Sequence, residues 1–191
     1  LSFLRSDAVL RVISRAATAA SAPVAVHYYR EGEEGVRILG AGQCRACKAV
    51  AALETGSNAC RRSRNAAGTT AVRRNVAMPF VCHMGFAGIV VRAFTYDTEG
   101  DDGYSLTIGP YCPRDGAASL AYDAADGFTA LGAPLEEADA EAMVHDIPLS
   151  TPDAIAEIAM WTAETLTAMW QEETLPAPSA PAVQESDAAD S

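Results

Sequence analysis

The sequence predicts an α+β fold, in which an antiparallel sheet of about five strands has helices inserted between its strands and further helices after it. Three observations support this prediction. Two β-rich segments lie near the N-terminus, an alanine- and arginine-rich stretch follows them, and a second group of β-rich segments comes next. With 191 residues, of which 49% are hydrophobic, the chain is long enough to bury one core.

The N-terminal part predicts one helix and then a pair of strands. Residues 6–20 carry apolar side chains at helical spacing, and Pro23 ends this helix. Residues 24–29 and 36–39 are short apolar segments on either side of a turn that is rich in glycine and glutamate. This pattern is typical of two antiparallel strands joined by a tight connection.

The middle of the chain predicts two helices and then about three strands. Residues 44–54 and 57–75 are rich in residues that tolerate helical geometry, and Gly56 separates them. A short extended segment follows, and residues 88–96 and 104–109 then form a β-rich pair. Two strands, inserted helices and three more strands are the order of a PAS-like sheet, whose helices can cover a pocket.

The C-terminal part predicts helices and a tail. Residues 115–126 and 135–144 predict short helices, while Thr151 and Pro152 are a cap and a first residue for a longer one. The apolar stripe of this longer helix either packs on its own domain or contacts a protein partner or a second copy of the chain. Residues 175–191 are rich in proline, alanine, serine and acidic residues, which predicts a disordered acidic tail.

The charge distribution narrows the range of partners. The net charge is −11, and from Asp97 onward there are twenty acidic residues against one basic residue. Because such a surface repels phosphates, no nucleic-acid partner is expected. Between Arg45 and Arg74, by contrast, there are seven cationic residues and one glutamate. This basic stretch is either a solvated helix face or a site for an anion or an acidic partner.

Two absences in the sequence bear on its location. No apolar run approaches the roughly 18 residues that cross a bilayer, so no membrane partner is expected. The first residues lack the long apolar region of a secretory signal. We therefore expect a cytoplasmic protein, in which clustered cysteines are more often metal ligands or redox groups than disulfides.

The five cysteines are the most specific feature of the chain. Cys44, Cys47, Cys60 and Cys82 are separated by two, twelve and twenty-one residues, and Cys112 follows later. A Cys-x-x-Cys pair and two distant thiols can together ligate zinc or an iron–sulfur cluster. We predict the first four as metal ligands and Cys112 as a reserve ligand, with disulfides and free thiols as alternatives. The surrounding positive charge favours an iron–sulfur cluster, with structural zinc as the alternative.

Three further residues are candidates for binding a small molecule. His83 directly follows Cys82, and adjacent residues on a strand point to opposite faces, so His83 is expected to face a pocket. Met84 and Tyr111 are the other candidates. No nucleophile elbow, phosphate-binding loop or dinucleotide fingerprint occurs, so no catalytic residue is predicted.

The cysteine steps resemble the PocR ligand-binding family. The segments that carry the resemblance are Cys47, Cys60-Arg61-Arg62-Ser63, Cys82-His83-Met84-Gly85-Phe86 and Leu106-Thr107-Ile108-Gly109-Pro110-Tyr111. The similarity extends over about residues 5–113 and implies a PAS-like sensory module of the kind found in bacterial regulators and sensor kinases. It implies a small organic ligand and places a site at Cys47, Cys60, Cys82 and His83. Cys44 departs from the family pattern by adding a fourth thiol.

These observations define three regions and one functional hypothesis. Residues 1–113 are expected to form a PocR-like sensory domain, residues 114–174 a C-terminal helical extension, and residues 175–191 the tail. The expected function is small-molecule or redox sensing with a cysteine-ligated metal centre and signalling through a partner protein or a homodimer. The alternatives are an iron–sulfur electron-transfer subunit of a redox enzyme and a binding module with structural zinc.

Overall fold

The computed structural model describes residues 2–30, 32–94 and 102–174; the predicted tail at 175–191 lies outside these residues. The strands are β1 (Val24–Tyr29), β2 (Val36–Ala41), β3 (Met78–Val81), β4 (Ala87–Phe94), β5 (Gly103–Pro113) and β6 (Leu149–Ser150). The helices are α1 (Asp7–Ala20), α2 (Arg45–Ala51), α3 (Glu54–Arg74), α4 (Leu120–Ala130), α5 (Glu137–Val144) and α6 (Pro152–Thr174).

The sheet has the strand order β2-β1-β5-β4-β3, and all four of these neighbouring pairs are antiparallel. The short strand β6 adds in parallel to the end of β5. The first hairpin and the later strands therefore join through β1 and β5, with α2 and α3 inserted between β2 and β3. This architecture confirms the prediction of an α+β fold with a PAS-like antiparallel sheet and C-terminal helices.

One face of the sheet packs against α1 and α6. Val24 and Val26 of β1 and Leu106 and Ile108 of β5 are fully buried in this core. Helix α6 contributes four buried residues to it, namely Ile155, Ala159, Ala163 and Leu166. The apolar stripe predicted near the C-terminus thus packs on its own domain, and α6 shares a core with the strands of residues 1–113.

The opposite face of the sheet is covered by α3 and is partly polar. Since side chains alternate along a strand, His27 of β1 and Thr107 of β5 point away from the α1–α6 core. Helix α3 lies close to β1 because Gly68 leaves room for the hydroxyl of Tyr29, which a Cβ at that position would overlap. This close approach closes one end of the space between helix and sheet.

The predicted break between the two inserted helices is displaced. Helix α2 ends at Ala51 and α3 begins at Glu54, so Gly56 lies inside the first turns of α3. The connection is tight, and a side chain on Gly56 would collide with the carbonyl of Val50. The glycine is therefore needed for helix packing rather than as a helix breaker.

The C-terminal short helices also differ in position from the prediction. Helix α4 occupies Leu120–Ala130 rather than 115–126, because the preceding residues form a 3-10 turn at Arg114–Gly116. Helices α4 and α5 pack together with α2 and the β3–β4 turn in a second apolar cluster that contains Phe86 and Phe128. No helix in the described part of the chain has the length and apolar character required to cross a membrane.

Candidate ligand-binding cavity and cysteine cluster

A cavity of about 520 Å³ lies between the polar face of the sheet and helices α2 and α3. Its apolar wall includes Val50 of α2, Phe80 of β3, and Met84 and Phe86 of the turn between β3 and β4. That turn is closed by a hydrogen bond from the Cys82 N–H to the Phe86 carbonyl, 2.9 Å long. The volume is within the range of pockets that enclose a small organic molecule.

The floor of the cavity carries two buried polar side chains. His27 is 1% exposed and Thr107 is 7% exposed, and both line the cavity. The Oγ1 atom of Thr107 and the Nδ1 atom of His27 are hydrogen bonded at 3.3 Å. Burial lowers the pKa of His27 to about 3, with smaller contributions from the positive charges of Arg64 and Arg37. The imidazole is therefore neutral at physiological pH, with one nitrogen that donates and one that accepts.

Positive charge surrounds the cavity. Among the described residues, Arg37, Arg61 and Arg64 line it, and Glu34 is the one carboxylate that does so. Glu34 forms an ion pair with Arg61, with 3.5 Å between Oε2 and Nε. Arg37 and Arg61 are exposed, whereas Arg64 is half-buried on the inner side of α3. The basic stretch of the sequence thus contributes two of its arginines, Arg61 and Arg64, directly to the site.

Four of the five cysteines lie near one another beside this cavity. Cys44 caps α2, and its Sγ atom accepts a hydrogen bond from the Cys47 N–H at 3.5 Å. Cys47, Cys60 and Cys82 line the cavity wall. Negative charge on Cys44, Cys60 or Cys82 raises the pKa of the Cys47 thiol, and Cys82 likewise affects Cys60. The folded chain therefore brings these four thiols within electrostatic reach of one another.

The thiols of the cluster differ in acidity. A hydrogen bond from the Cys47 thiol lowers the pKa of the Cys44 thiol, although burial opposes this effect. The same bond, followed by burial, raises the pKa of Cys47. Burial is also the main reason that the pKa values of Cys60 and Cys82 are raised. Cys44 is consequently the most acidic thiol of the cluster, and its neighbours retain their protons.

The reserve cysteine, Cys112, belongs to the same apolar cluster as Cys44. Cys112 is buried on β5, and its thiol donates to the carbonyl of Pro113 at 3.2 Å. Burial raises its pKa, with smaller contributions from Asp115 and Asp123. No disulfide occurs among the five cysteines, all of which are described. Cys112 thus differs from the other four in its hydrogen bond and in the charges near it, although it belongs to the same apolar cluster.

The donor chemistry of the cluster suits zinc or iron–sulfur ligation, but its arrangement does not form a ligand cage. Within residues 2–30, 32–94 and 102–174, no three cysteine, histidine, aspartate or glutamate side chains are placed to hold a metal ion. A tetrathiolate site requires four sulfurs at about 2.3 Å from one point. The iron–sulfur and zinc assignments of Cys44, Cys47, Cys60 and Cys82 therefore stay predictions.

The three predicted ligand-binding residues have different locations. Met84 lines the cavity, whereas neither His83 nor Tyr111 is among the described residues that do so. Tyr111 is 1% exposed and belongs to the core beneath α1 and α6, and burial raises its pKa. His83 and Tyr111 stay predictions as ligand contacts.

His83 lies in the β3–β4 turn rather than on a strand, so strand alternation does not determine its direction. Its N–H donates to the Ser63 hydroxyl at 3.1 Å. Burial, and then the charge of Arg62, lower the pKa of its imidazole. Both ring nitrogens are buried and have no hydrogen-bond partner among the described residues.

The polar cavity residues His27, Thr107 and Arg64 are among those that the sequence does not identify individually. The available signal was the alternation within residues 24–29, where Val24 and Val26 mark the core face and His27 therefore belongs to the opposite face. No protein-family model, curated protein or solved structure matches the chain. The resemblance to the PocR ligand-binding family thus stays a prediction.

Proposed function

We propose that the protein is a sensory domain that binds a small organic molecule in the cavity beneath α2 and α3 and signals through a partner protein. The observation that carries this proposal is the cavity itself, which combines an apolar wall with a buried polar floor. Ligand pockets are typically apolar enclosures with a few convergent polar groups that fix orientation. His27 and Thr107 supply those groups.

The helices that cover the cavity are linked to the C-terminal helices by hydrogen bonds. The Arg45 N–H at the start of α2 donates to Asp146 Oδ2 at 3.0 Å, just after α5. The Thr55 hydroxyl at the start of α3 donates to the Leu131 carbonyl at 3.5 Å, just after α4. In this proposal α2 and α3 have two arrangements, and the ligand binds one of them more tightly and so increases its population. The hydrogen bonds would then shift α4 and α5 as well. Those helices are the proposed route to a partner.

The proposal is tested by filling the cavity. Ala25 lines it, so Ala25→Phe places an aromatic ring in the space for the ligand. A library of small organic molecules is screened by thermal shift against wild type, against this variant and against Ala19→Phe, whose position is exposed on α1. We expect hits that stabilise wild type and Ala19→Phe but not Ala25→Phe. Hits that stabilise all three proteins equally would contradict binding in this cavity.

Redox sensing is a second candidate because the cysteine cluster adjoins the same cavity. Cys44 is the most acidic thiol and Cys47 is its neighbour. In redox-sensing proteins an acidic thiolate attacks an oxidant such as a peroxide and becomes a sulfenic acid, and a neighbouring thiol then displaces water from it to form a disulfide. Metal analysis and a visible spectrum of anaerobically purified protein separate the versions of this proposal. Bound iron with a broad absorption band at about 400 nm would support an iron–sulfur cluster. A colourless protein with stoichiometric zinc would support a structural zinc site.

A further inference from the structure

One end of the cavity holds polar atoms that lack partners. The Nε2 atom of His27 and the Nε atom of Arg64 are buried and have no hydrogen-bond partner among the described residues. In either tautomer the Nε2 atom of His27 needs a partner, because Thr107 occupies only Nδ1. Leaving a buried polar atom unsatisfied costs about 1–3 kcal/mol. This end of the cavity therefore favours a guest with polar atoms of its own.

The charge at this end is positive and uncompensated. Arg64 lies beside the Tyr29 hydroxyl and close enough to His27 to lower its pKa. Within the part of the chain that the structure describes, no carboxylate forms an ion pair with Arg64, whereas Glu34 already pairs with Arg61. A half-buried guanidinium without an anion is an incomplete pair, and carboxylates complete it with strong, directional hydrogen bonds.

We propose that the cavity binds a monocarboxylate with a compact apolar body. This inference rests on the proposed function and names the class of its ligand. The carboxylate would pair with the guanidinium of Arg64 on the side of His27, and the apolar body would lie against Phe80, Met84 and Phe86.

The structure favours a single negative charge. Of the described arginines that line the cavity, Arg61 is paired with Glu34, Arg37 is exposed, and Arg64 alone is half-buried. One half-buried guanidinium matches one carboxylate, whereas a phosphate dianion would require more buried positive charge. An amine is disfavoured because the arginines that line the cavity repel it. At about 520 Å³ the cavity has room for an aryl or short alkyl acid.

The test uses matched pairs of probes in isothermal titration calorimetry. Benzoate, phenylacetate, hydrocinnamate and octanoate are each compared with the corresponding primary amide, which has the same body and no charge. We expect at least one acid to bind wild type and its amide to bind about tenfold or more weakly, since a hydrogen bond to a charged group contributes about 1.5–3 kcal/mol. Equal binding of each acid and its amide, or no binding of any acid, would overturn the inference.

Variants of α3 assign the charge that recognises the acid. Arg64→Gln should weaken the binding of the acid by about 10- to 100-fold and leave the binding of the amide unchanged. Arg64→Lys should lose less affinity for the acid because it keeps the charge. Arg62→Gln is the matched control, since Arg62 is exposed on the same helix and does not line the cavity. Equal loss in Arg62→Gln and Arg64→Gln would indicate long-range attraction only and would overturn the assignment.

The inference and the proposed function fail in different ways. If amides or other uncharged molecules bind as well as acids, and Ala25→Phe abolishes this binding, the carboxylate assignment is wrong and the sensory cavity stands. If Ala25→Phe changes the binding of no molecule, including the acids, both are wrong.

Discussion

His27 should make the stability of the protein fall steeply in acid. The imidazole has an ordinary pKa of 6.5, and burial lowers the pKa to about 3 in the folded chain. The folded protein therefore holds a neutral imidazole where the unfolded chain would take up a proton. The resulting stability is fully present above pH 6.5 and is lost as the pH falls from 6.5 towards 3.

The size of this loss of stability depends on how far the pH lies below the pKa of His27 in the unfolded chain. Each pH unit between the two pKa values corresponds to about 1.4 kcal/mol, so at about pH 4.5 the folded state has lost about 2.7 kcal/mol from His27 alone. Carboxylates and other groups also titrate in this range. The prediction is therefore a difference between two proteins that share those groups, rather than the total loss of stability.

The assay is urea denaturation of wild type and His27→Gln at about pH 7 and at about pH 4.5. Between the two pH values, the free energy of unfolding of wild type should fall by about 2.7 kcal/mol more than that of the variant, because glutamine has no proton to gain. His83, whose pKa is also lowered, is present in both proteins and cancels. His145→Gln, at an exposed position, is the control and should lose as much as wild type. Equal losses in wild type and His27→Gln would refute a buried neutral His27.

Three further predictions concern the packing and the thiols. Gly68→Ala should destabilise the fold by about 1–3 kcal/mol in urea denaturation, because its methyl group meets Tyr29, whereas Gly116→Ala should change stability by less than about 1 kcal/mol. Leu166→Ala should cost about 2–5 kcal/mol, because Leu166 is fully buried against the sheet; a smaller loss would mean that α6 is not part of the core. If the protein binds metal through Cys44, Cys47, Cys60 and Cys82, Cys112→Ser should leave the metal content measured by mass spectrometry unchanged, since the Cys112 thiol donates to the Pro113 carbonyl and the charges that act on it are those of Asp115 and Asp123.

The positions of the strands along the chain could be predicted because the strands carry local signals. The segment that became β1 alternates between buried valines and residues of the other face, and β4 is rich in β-branched residues, so each strand was identifiable without its neighbours. The helix boundaries were less accurate, since tertiary contacts determine them. Gly56 was interpreted as a helix breaker, yet the carbonyl of Val50 requires a glycine there for the α2–α3 connection.

The candidate site was predictable only in part, because its residues are brought together by pairing across the sheet. Cys47, Cys60 and Cys82 were identified from their spacing, and Met84 from its place after Cys82. His27 was assigned no role, since the sequence offers no sign that Thr107 lies beside it, eighty residues away. A local pattern can place a side chain on a face, but the partner on the next strand depends on register.

The two faces of the sheet divide the tasks of stability and binding. The face under α1 and α6 buries mainly apolar strand residues such as Val26 and Leu106, and such burial is a main driving force for folding. The face under α3 keeps His27 and Arg64 with unsatisfied atoms, which lowers the stability of the free protein. A ligand that satisfies these atoms should stabilise the folded chain by about 2.7 kcal/mol when its free concentration is a hundred times its dissociation constant, provided that it does not bind the unfolded chain. Since the unfolded chain has no cavity, the stabilisation should follow this relation, and at the same concentration it should be smaller in Arg64→Gln for an acid and unchanged for its amide.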